Sequence, residues 1–438
     1  MKMRTESKIN TKMKANVKAG TNTGLRYSIV RILAVLTVIL LCAGFTVYAE
    51  ETTEAGGDTL IVRVGFVYPK TGDLASFGEF TEEWTKYAVD QANSKGIMID
   101  GQPAQISLIT ADSQSDPKEA RKAAKQLIEE KNIEIMITSK TADTTVPVSE
   151  ICEGKGVVCL SVDTPDEAWA VKPHKYSFHA GFDIASELNC FEDAWDQIDT
   201  NGRVGVMHPN DPEGSIMINV LPGFVQERGY TAYDPGAYLP GQKNFTNIIR
   251  NLRTQQVEVL AGVMTNADFE TFYAQLKEEG YLENIKVITI AKTALFKKDI
   301  EKLDVEGLCT EIWWDSSFPT ASSIDGTTSE QLNEQFTRLT GQEHAPAAVG
   351  YDYANIEILY AVLNNAGSLN PEKLIEAAKN LDLDTVIGKV RYNERNYSVQ
   401  PLAEGQWVTD STGDWERIII SAGTAEGLQP TGTLQALR

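Results

Sequence analysis

Short apolar runs alternate with amphipathic segments along this chain from residue 60 onward. The first run, Ile61–Val67, predicts a buried strand, and a polar turn containing Pro69 and Gly72 follows it. Ser76 then stands where it could cap a helix that carries Trp84. A strand, a polar turn and a helix make half of a βαβ unit, which places ligands beyond the carboxyl end of its strand. Taken alone, the strand is also what any α/β core would show.

The same alternation continues in two successive blocks. Asp116 and Pro117, with Glu119 in the third position, form a strong helix start in the first block. Further runs near Val386–Tyr392 and Trp407–Ile420 predict a closing hairpin or an antiparallel edge. The other main strands are predicted at 106–111, 133–138, 157–162, 203–207, 257–263, 287–291 and 308–314. The chain therefore predicts an α/β fold of two doubly wound, mainly parallel sheets.

The N-terminal segment has the composition of an export signal. Residues 1–49 hold eight basic residues and one acid, and the stretch from Ile32 to Val47 is almost wholly apolar. It ends in a small-residue cleavage pattern, so we expect residues 1–49 to be a signal peptide and 50–58 a disordered leader. Two alternatives stay open: lipid attachment at Cys42, which the bulky Leu41 disfavours, and an uncleaved anchor, for which the apolar run is short.

The net charge limits the partners that the protein can bind, and the cysteines raise the question of a disulfide. Of the 40 basic and 61 acidic residues, 32 and 60 lie after residue 49, which gives that part a net charge near −28. We therefore expect no binding to nucleic acid or to an anionic bilayer through bulk electrostatics. The cysteines at 152, 159, 190 and 309 form no C-x-x-C motif. A Cys152–Cys159 bridge and buried free thiols both remain open.

Sequence motifs for catalysis and for cofactors are missing. The chain has no G-x-S-x-G elbow, no Walker loop and no Gly-rich dinucleotide fingerprint. Its four histidines lack a metal-binding spacing. We therefore predict a binding protein with no cofactor, no metal and no enzymatic activity. A secreted α/β enzyme is the alternative, with Asp163, Asp211 and Lys292 as the candidate reactive groups.

Residues just beyond the predicted strand ends are the candidate ligand contacts. Hydroxyls at helix N-termini suit an anion, so Ser139, Thr141 and Thr164 could hold a ligand carboxylate, although each could equally be a helix cap. Lys292 follows the apolar run 287–291 and would project into a cleft, unless it is a solvated loop lysine. The candidate set is Tyr68, Phe77, Ser139, Thr141, Asp163, Thr164, Asp211, Thr265, Asn266, Lys292 and Trp314.

Two of these candidates supply apolar surface. Phe77 lies in the wall of the first turn, and the pair Trp313-Trp314 ends a predicted strand. Because adjacent strand residues point to opposite faces, at most one of the tryptophans can face the cleft. The other is expected to be core.

Several segments resemble the type I periplasmic solute-binding proteins, in particular the branched-chain amino-acid (leucine/isoleucine/valine) receptor family of ABC importers. The similarity runs in order through roughly residues 60–420, and although each piece is loose, the whole is specific. Ser113 replaces the second acid of the family's DD-x-x-SDP segment. The matching stretches are Val64–Gly72 with Phe77-Gly78, Ala88–Gly96, Asp112 to Ala120, Thr145–Glu150 and Thr385–Gly388.

The resemblance implies two α/β lobes joined by three crossings, with the ligand cleft between them. Lobe 1 is expected at 59–180 with 313–390 returning to it, and lobe 2 at 181–312 with 391–438 returning to it. It places ligand contacts on the loop 139–144, on Asp163-Thr164, near Asp211 and on Thr265-Asn266. Ser115 and, within a residue or so, Thr141 stand where the family has its usual disulfide, so that bridge is expected to be absent.

One departure from the family bears on the ligand. Aliphatic amino-acid receptors place an acid that takes the ligand's ammonium where Lys292-Thr293 stands here. A lysine pointing inward would repel an ammonium and attract a second anionic group, while Asp163 or Asp211 could take the ammonium instead. The ligand class therefore stays open between an amino acid, a dicarboxylate and an aromatic carboxylic acid.

The resulting hypothesis is an exported solute receptor that closes over a small carboxylate-bearing ligand and delivers it to an ABC permease in the membrane. Its expected location is the periplasm or the outer face of the cytoplasmic membrane. A ligand-binding subunit of a sensory receptor is the alternative, because both would present the closed form through the outer surface.

Overall fold

The computed structural model describes residues 59–437. The predicted signal peptide, the leader and Cys42 lie outside these residues. Within the described part of the chain, no helix combines the length and the apolar character needed to cross a membrane.

Lobe 1 is built on a seven-stranded sheet in the order β14-β6-β5-β4-β1-β3-β2. All neighbours in it are parallel except β2 and β3, which form an antiparallel hairpin. Its elements in chain order are β1 Leu60–Tyr68, α1 Thr81–Lys95, β2 Ile97–Ile99, β3 Gln102–Asp112, α2 Pro117–Lys131, β4 Ile135–Thr138, α3 Ala142–Lys155, β5 Val158–Val162, α4 Asp166–Trp169 and β6 Ser177–Gly181, with β14 Tyr397–Val399 added from the C-terminal region.

Lobe 2 repeats this architecture with the order β16-β15-β11-β10-β9-β7-β8. Its elements are α5 Ile184–Trp195, β7 Arg203–Met207, α6 Pro212–Val225, β8 Thr231–Tyr233, α7 Thr246–Thr254, β9 Val259–Val263, α8 Asn266–Glu278, β10 Val287–Ala291, α9 Lys297–Leu303 and β11 Cys309–Ile312, followed late in the chain by β15 Ala403–Thr409 and β16 Trp415–Ser421. The last two strands form the antiparallel edge that the sequence predicts.

Between β11 and β14 the chain packs on lobe 1 as α10 Ser329–Thr340, α11 Ala347–Ala366, α12 Pro371–Lys379 and the hairpin β12 Leu383–Thr385 and β13 Gly388–Val390. The chain crosses between the sheets after β6, after β11 and after β14. The last crossing lies between Val399 and Ala403, later than the predicted return at 391, because Tyr397–Val399 still pairs in parallel with β6. The predicted fold of two doubly wound α/β lobes is confirmed.

The loop after β1 differs from its prediction. Helix α1 begins at Thr81, after Phe80 in the left-handed region at φ 60°, so Ser76 is not its cap. The loop folds back over the end of β1 so closely that a Cβ at Gly78 would lie 2.0 Å from the Pro69 carbonyl oxygen. This close approach requires glycine and delays the helix by about one turn.

The four cysteines in the described part of the chain are buried free thiols. Cys152, Cys159, Cys190 and Cys309 all lie in the core without a disulfide. Of the two possibilities left open for Cys152 and Cys159, the structure shows free thiols.

Candidate functional site

A cleft of about 590 Å³ of empty volume, counted to its open mouth, lies where the carboxyl ends of the two sheets face each other. Its apolar wall combines aromatic and aliphatic side chains from both lobes, namely Phe77, Phe182, Ile184, Ile216, Met217 and Trp313. Its polar side chains are Thr141, Asp163, Glu187, Glu213, Lys292 and Glu311. A mainly apolar pocket with few polar groups is typical of a small-molecule site.

Strained backbone surrounds this cleft. Lys140 and Thr141 have φ angles of 69° and 62°, Asp163 has 85° and Lys292 has 64°. Each of these non-glycine residues follows a strand that ends at the cleft. Such conformations cost on the order of 1–3 kcal/mol each and occur preferentially at functional sites. They turn the chain sharply, so that the next helix starts at the cleft.

A buried ionic cluster supports the lobe 1 side. The Lys140 Nζ lies 2.8 Å from Asp352 Oδ1 and 3.1 Å from Asp163 Oδ2. It also donates a hydrogen bond of 3.2 Å to the Ala348 carbonyl. Burial raises the pKa of Asp163, and it raises that of Asp352 to about 6. Among the described residues the buried Asp163 Oδ1 finds no hydrogen-bond partner.

The N-terminus of α3 opens onto the same side. Thr141 precedes the helix, but its hydroxyl caps no backbone N–H and its buried Oγ1 has no partner within the described chain. Its carbonyl accepts hydrogen bonds from the backbone and the hydroxyl of Thr145, at 3.1 and 2.9 Å. The first N–H groups of a helix have no partner inside the helix and favour an anion. The Thr141 hydroxyl, unpartnered among the described residues, lies beside these N–H groups.

Lobe 2 contributes two adjacent carboxyl groups. Glu311 Oε1 accepts a 3.3 Å hydrogen bond from the Lys292 backbone N–H, while Oε2 has no hydrogen-bond partner among the described residues. Burial and the neighbouring Glu311 carboxylate raise the pKa of Glu187 well above its usual value, and burial raises that of Glu311. Like charges this close favour a shared proton or a bound cation. An ammonium group would satisfy both carboxyls.

Lys292 and Glu213 form an ion pair on the same wall. The Lys292 ammonium binds Glu213 Oε2, and the two side chains are 19% and 28% exposed. The lysine side chain thus points into the cleft, as the sequence suggested, and the Glu213 carboxylate neutralises its charge there.

The cleft places polar groups beside its apolar wall. It offers an anion site at α3, acids at Glu187 and Glu311, and an apolar wall between them. No group of three or more His, Cys, Asp or Glu side chains in residues 59–437 is arranged to hold a metal ion.

The family model described as "Periplasmic binding protein" matches residues 61–413. The chain belongs to the periplasmic binding protein family. The resemblance read from its motifs is therefore confirmed.

Known members of the family resemble this periplasmic binding protein along most of their length. The Leu/Ile/Val-binding protein BraC3 of Rhizobium johnstonii is 22% identical over 350 residues, covering 76% of this chain and 88% of the relative. A leucine binding protein, LivK, from Thermotoga maritima superposes with a TM-score of 0.69 at 16% identity, covering 81% and 97%.

A second solved structure comes from Desulfitobacterium hafniense, an ABC transporter substrate-binding protein in complex with Leu. It gives a TM-score of 0.65 at 17% identity and covers 82% of this chain and 99% of that one. The relatives and structural neighbours are binding proteins rather than enzymes.

Part of the predicted site assembles at the cleft of this binding protein. Phe77, Thr141, Asp163 and Lys292 line it. Trp313 takes the wall position that was assigned to Trp314, which is buried with its Nε1 donating to the Ser329 hydroxyl.

The other predicted contacts have partners within the protein. Tyr68 donates to Glu82 at 2.9 Å, Ser139 donates to Asp352 at 3.3 Å, and the hydroxyls of Thr164 and Thr145 are 2.8 Å apart. Asp211 and Thr265 cap α6 and α8, and Asn266 accepts the Ala294 N–H at 2.8 Å. These three side chains therefore support local backbone.

Sequence reasoning missed several polar residues at the site. Lys140 lies inside the predicted ligand loop 139–144, and Glu311 lies in the predicted strand 308–314. Glu187 and Glu213 lie in the first turns of the observed helices α5 and α6. Glu311 carried the clearest signal, because a charged residue inside the apolar run 308–314 must find a partner or a function.

The argument that Lys292 would repel an ammonium stays a prediction, and the structure adds that Glu213 pairs with this lysine. The relatives described above are named for amino acids, so a dicarboxylate or an aromatic acid has no support among them.

Proposed function

We propose that this protein is the extracytoplasmic receptor of an ABC importer, which captures an amino acid between its lobes and delivers it to a membrane permease. The family and the N-terminal signal pattern support export to the periplasm or to the outer face of the cytoplasmic membrane. Relatives named for binding leucine, isoleucine and valine support the ligand class.

One observation supports the proposal: buried polar atoms without hydrogen-bond partners in the described part of the chain belong to residues that line the cleft. The Thr141 hydroxyl beside the α3 N-terminus would hold the ligand carboxylate, and Glu311 Oε2 with the neighbouring Glu187 would hold its ammonium. The aliphatic or aromatic part of the ligand would pack against Phe77 and Trp313. Buried polar atoms that lack protein partners cost free energy unless a ligand satisfies them.

The test is isothermal titration of the purified protein with leucine, isoleucine and valine, and with two leucine analogues. One analogue, 4-methylpentanoate, lacks the ammonium, and the other, 3-methylbutylamine, lacks the carboxylate. We expect at least one amino acid to bind and both analogues to fail. Thermal shift should agree, since a ligand at a hundredfold excess over its Kd stabilises by about 2.7 kcal/mol.

Glu311→Gln should weaken amino-acid binding about tenfold to a hundredfold, because it removes the charge from an ammonium contact. Glu404→Gln is the matched control. Glu404 pairs opposite Glu311 in the sheet and is fully buried, but it does not line the cleft. Equal losses in the two variants, or tight binding of 4-methylpentanoate, would refute the proposed role of Glu311.

A further inference from the structure

We propose that Glu213 is a specificity-determining residue: by holding the Lys292 ammonium within the cleft, it prevents a ligand with an anionic side chain from using that lysine. This inference rests on the proposed function, since it assumes that the cleft holds an amino acid. The Lys292–Glu213 ion pair would then decide whether the cleft accepts a ligand with an acidic or an uncharged side chain.

The backbone places Lys292 in the cleft. Lys292 comes directly after β10, and its φ of 64° turns the chain away from the strand direction. Its backbone N–H is anchored to Glu311 Oε1 at 3.3 Å. Its side chain reaches the first turn of α6, where Glu213 meets it beside Ile216 and Met217 on the cleft wall. A lysine placed this way is within reach of a bound ligand.

The electrostatics explain why pairing matters. Lys292 is the one cationic side chain among the described residues that line the cleft, and Asp163, Glu187, Glu213 and Glu311 line it as well. Without its partner, Lys292 would be an unpaired ammonium of low exposure next to apolar side chains, and a ligand carboxylate would be its best available partner. With Glu213 in place, the lysine is already paired, and an incoming anionic side chain would lie next to the Glu213 carboxylate.

Other acids also act on Lys292. Asp143, from the first turn of α3 across the cleft, and Asp211, before α6, both contribute to its field. Burial raises the pKa of Asp143, whereas Lys292 lowers it. Asp211 already accepts the Gly214 N–H at 2.8 Å as the cap of α6, so Asp143 is the acid of the two better placed to replace Glu213, and a test must remove it too.

The experiment titrates wild type and variants with leucine, glutamate and glutamine. Wild type should bind leucine and not glutamate. Glu213→Gln should gain glutamate affinity by at least about tenfold, while affinity for glutamine, which has nearly the same shape, stays unchanged. If Asp143 takes over the lysine, the gain should appear in the Glu213→Gln, Asp143→Asn double variant.

The matched control is Glu213→Gln combined with Lys292→Met, which removes both charges and should abolish the gain. A structural ion pair without a selective role would change melting temperature but not the ratio of glutamate to glutamine affinity. The inference is overturned if neither Glu213→Gln nor the double variant with Asp143→Asn gains glutamate while both still bind leucine. Tight glutamate binding by wild type overturns it as well. Failure of wild type to bind any amino acid contradicts the proposed function instead.

Discussion

At the residue scale, His179 shows how a buried side chain positions the turn after β5, which contains Asp163 and Thr164. Its Nε2 lies 3.0 Å from the Thr164 backbone nitrogen and 3.1 Å from the Thr164 carbonyl oxygen, and its Nδ1 lies 2.6 Å from the Ser161 hydroxyl. Tyr397 adds hydrogen bonds to the carbonyls of Thr164 and Phe182, at 2.5 and 2.6 Å. These contacts flank Asp163 and hold it at its strained φ of 85°.

Burial lowers the pKa of His179 to about 3. Below about pH 6.5 the unfolded chain protonates this histidine, whereas the folded chain keeps it neutral. The contribution of His179 to the free energy of unfolding is therefore complete above about pH 6.5 and is lost as the pH falls towards 3. The slope is about 1.4 kcal/mol per pH unit, so wild type should lose about 2 kcal/mol more unfolding free energy than His179→Gln between pH 7 and pH 5.

Urea unfolding at the two pH values measures this difference. Identical pH dependence in wild type and His179→Gln would show that His179 is not the neutral buried group described here.

At the element scale, local signals decided where some helices begin. Asp116 caps α2 as its sequence predicts, accepting the N–H groups of Lys118 and Glu119 at 2.7 and 3.1 Å. Ser76 carried a similar signal but lies within the loop after β1, and α1 begins only at Thr81. A cap residue is effective only where the backbone around it becomes helical, and in the second case packing against Pro69 decided otherwise.

Asp116→Ala should therefore reduce the free energy of unfolding by about 1 kcal/mol and increase hydrogen exchange in the first turn of α2. Ser76→Ala is the natural comparison and should change stability by less than about 0.5 kcal/mol. Denaturant unfolding with exchange mass spectrometry measures both. A loss at Ser76 as large as that at Asp116 would contradict this assignment of the caps.

At the scale of the whole molecule, the two lobes touch across the cleft mouth. The Phe77 ring of lobe 1 meets the Phe296 ring of lobe 2 edge to face, with centroids 5.3 Å apart. Beside them Glu79 and Lys298 form an exposed ion pair between the lobes. Contacts of this kind favour the closed arrangement and should slow the escape of a bound ligand.

Phe296→Ala should raise the ligand dissociation rate about threefold to tenfold, because an aromatic pair contributes about 0.5–1.5 kcal/mol beyond its area. Stopped-flow tryptophan fluorescence can follow this, with Trp313 in the cleft as reporter. Lys298→Gln removes the exposed ion pair with Glu79 between the same two lobes. It should change the ligand dissociation rate by less than about twofold at physiological salt. An unchanged rate in Phe296→Ala would exclude this contact from the ligand-bound form.

Local sequence by itself determined the elements and, through their alternation, the two-lobe α/β fold, because hydrophobic periodicity, caps and breakers act within a few residues. It also pointed to the strand ends as the site and brought Thr141, Asp163 and Lys292 to it. Only the tertiary structure decided the charge state of that site. Lys140 meets Asp352 across 212 positions, and Lys292 meets Glu213 across 79. Such partners are selected by packing between distant elements, so no local pattern shows that the lysine in the cleft is already paired.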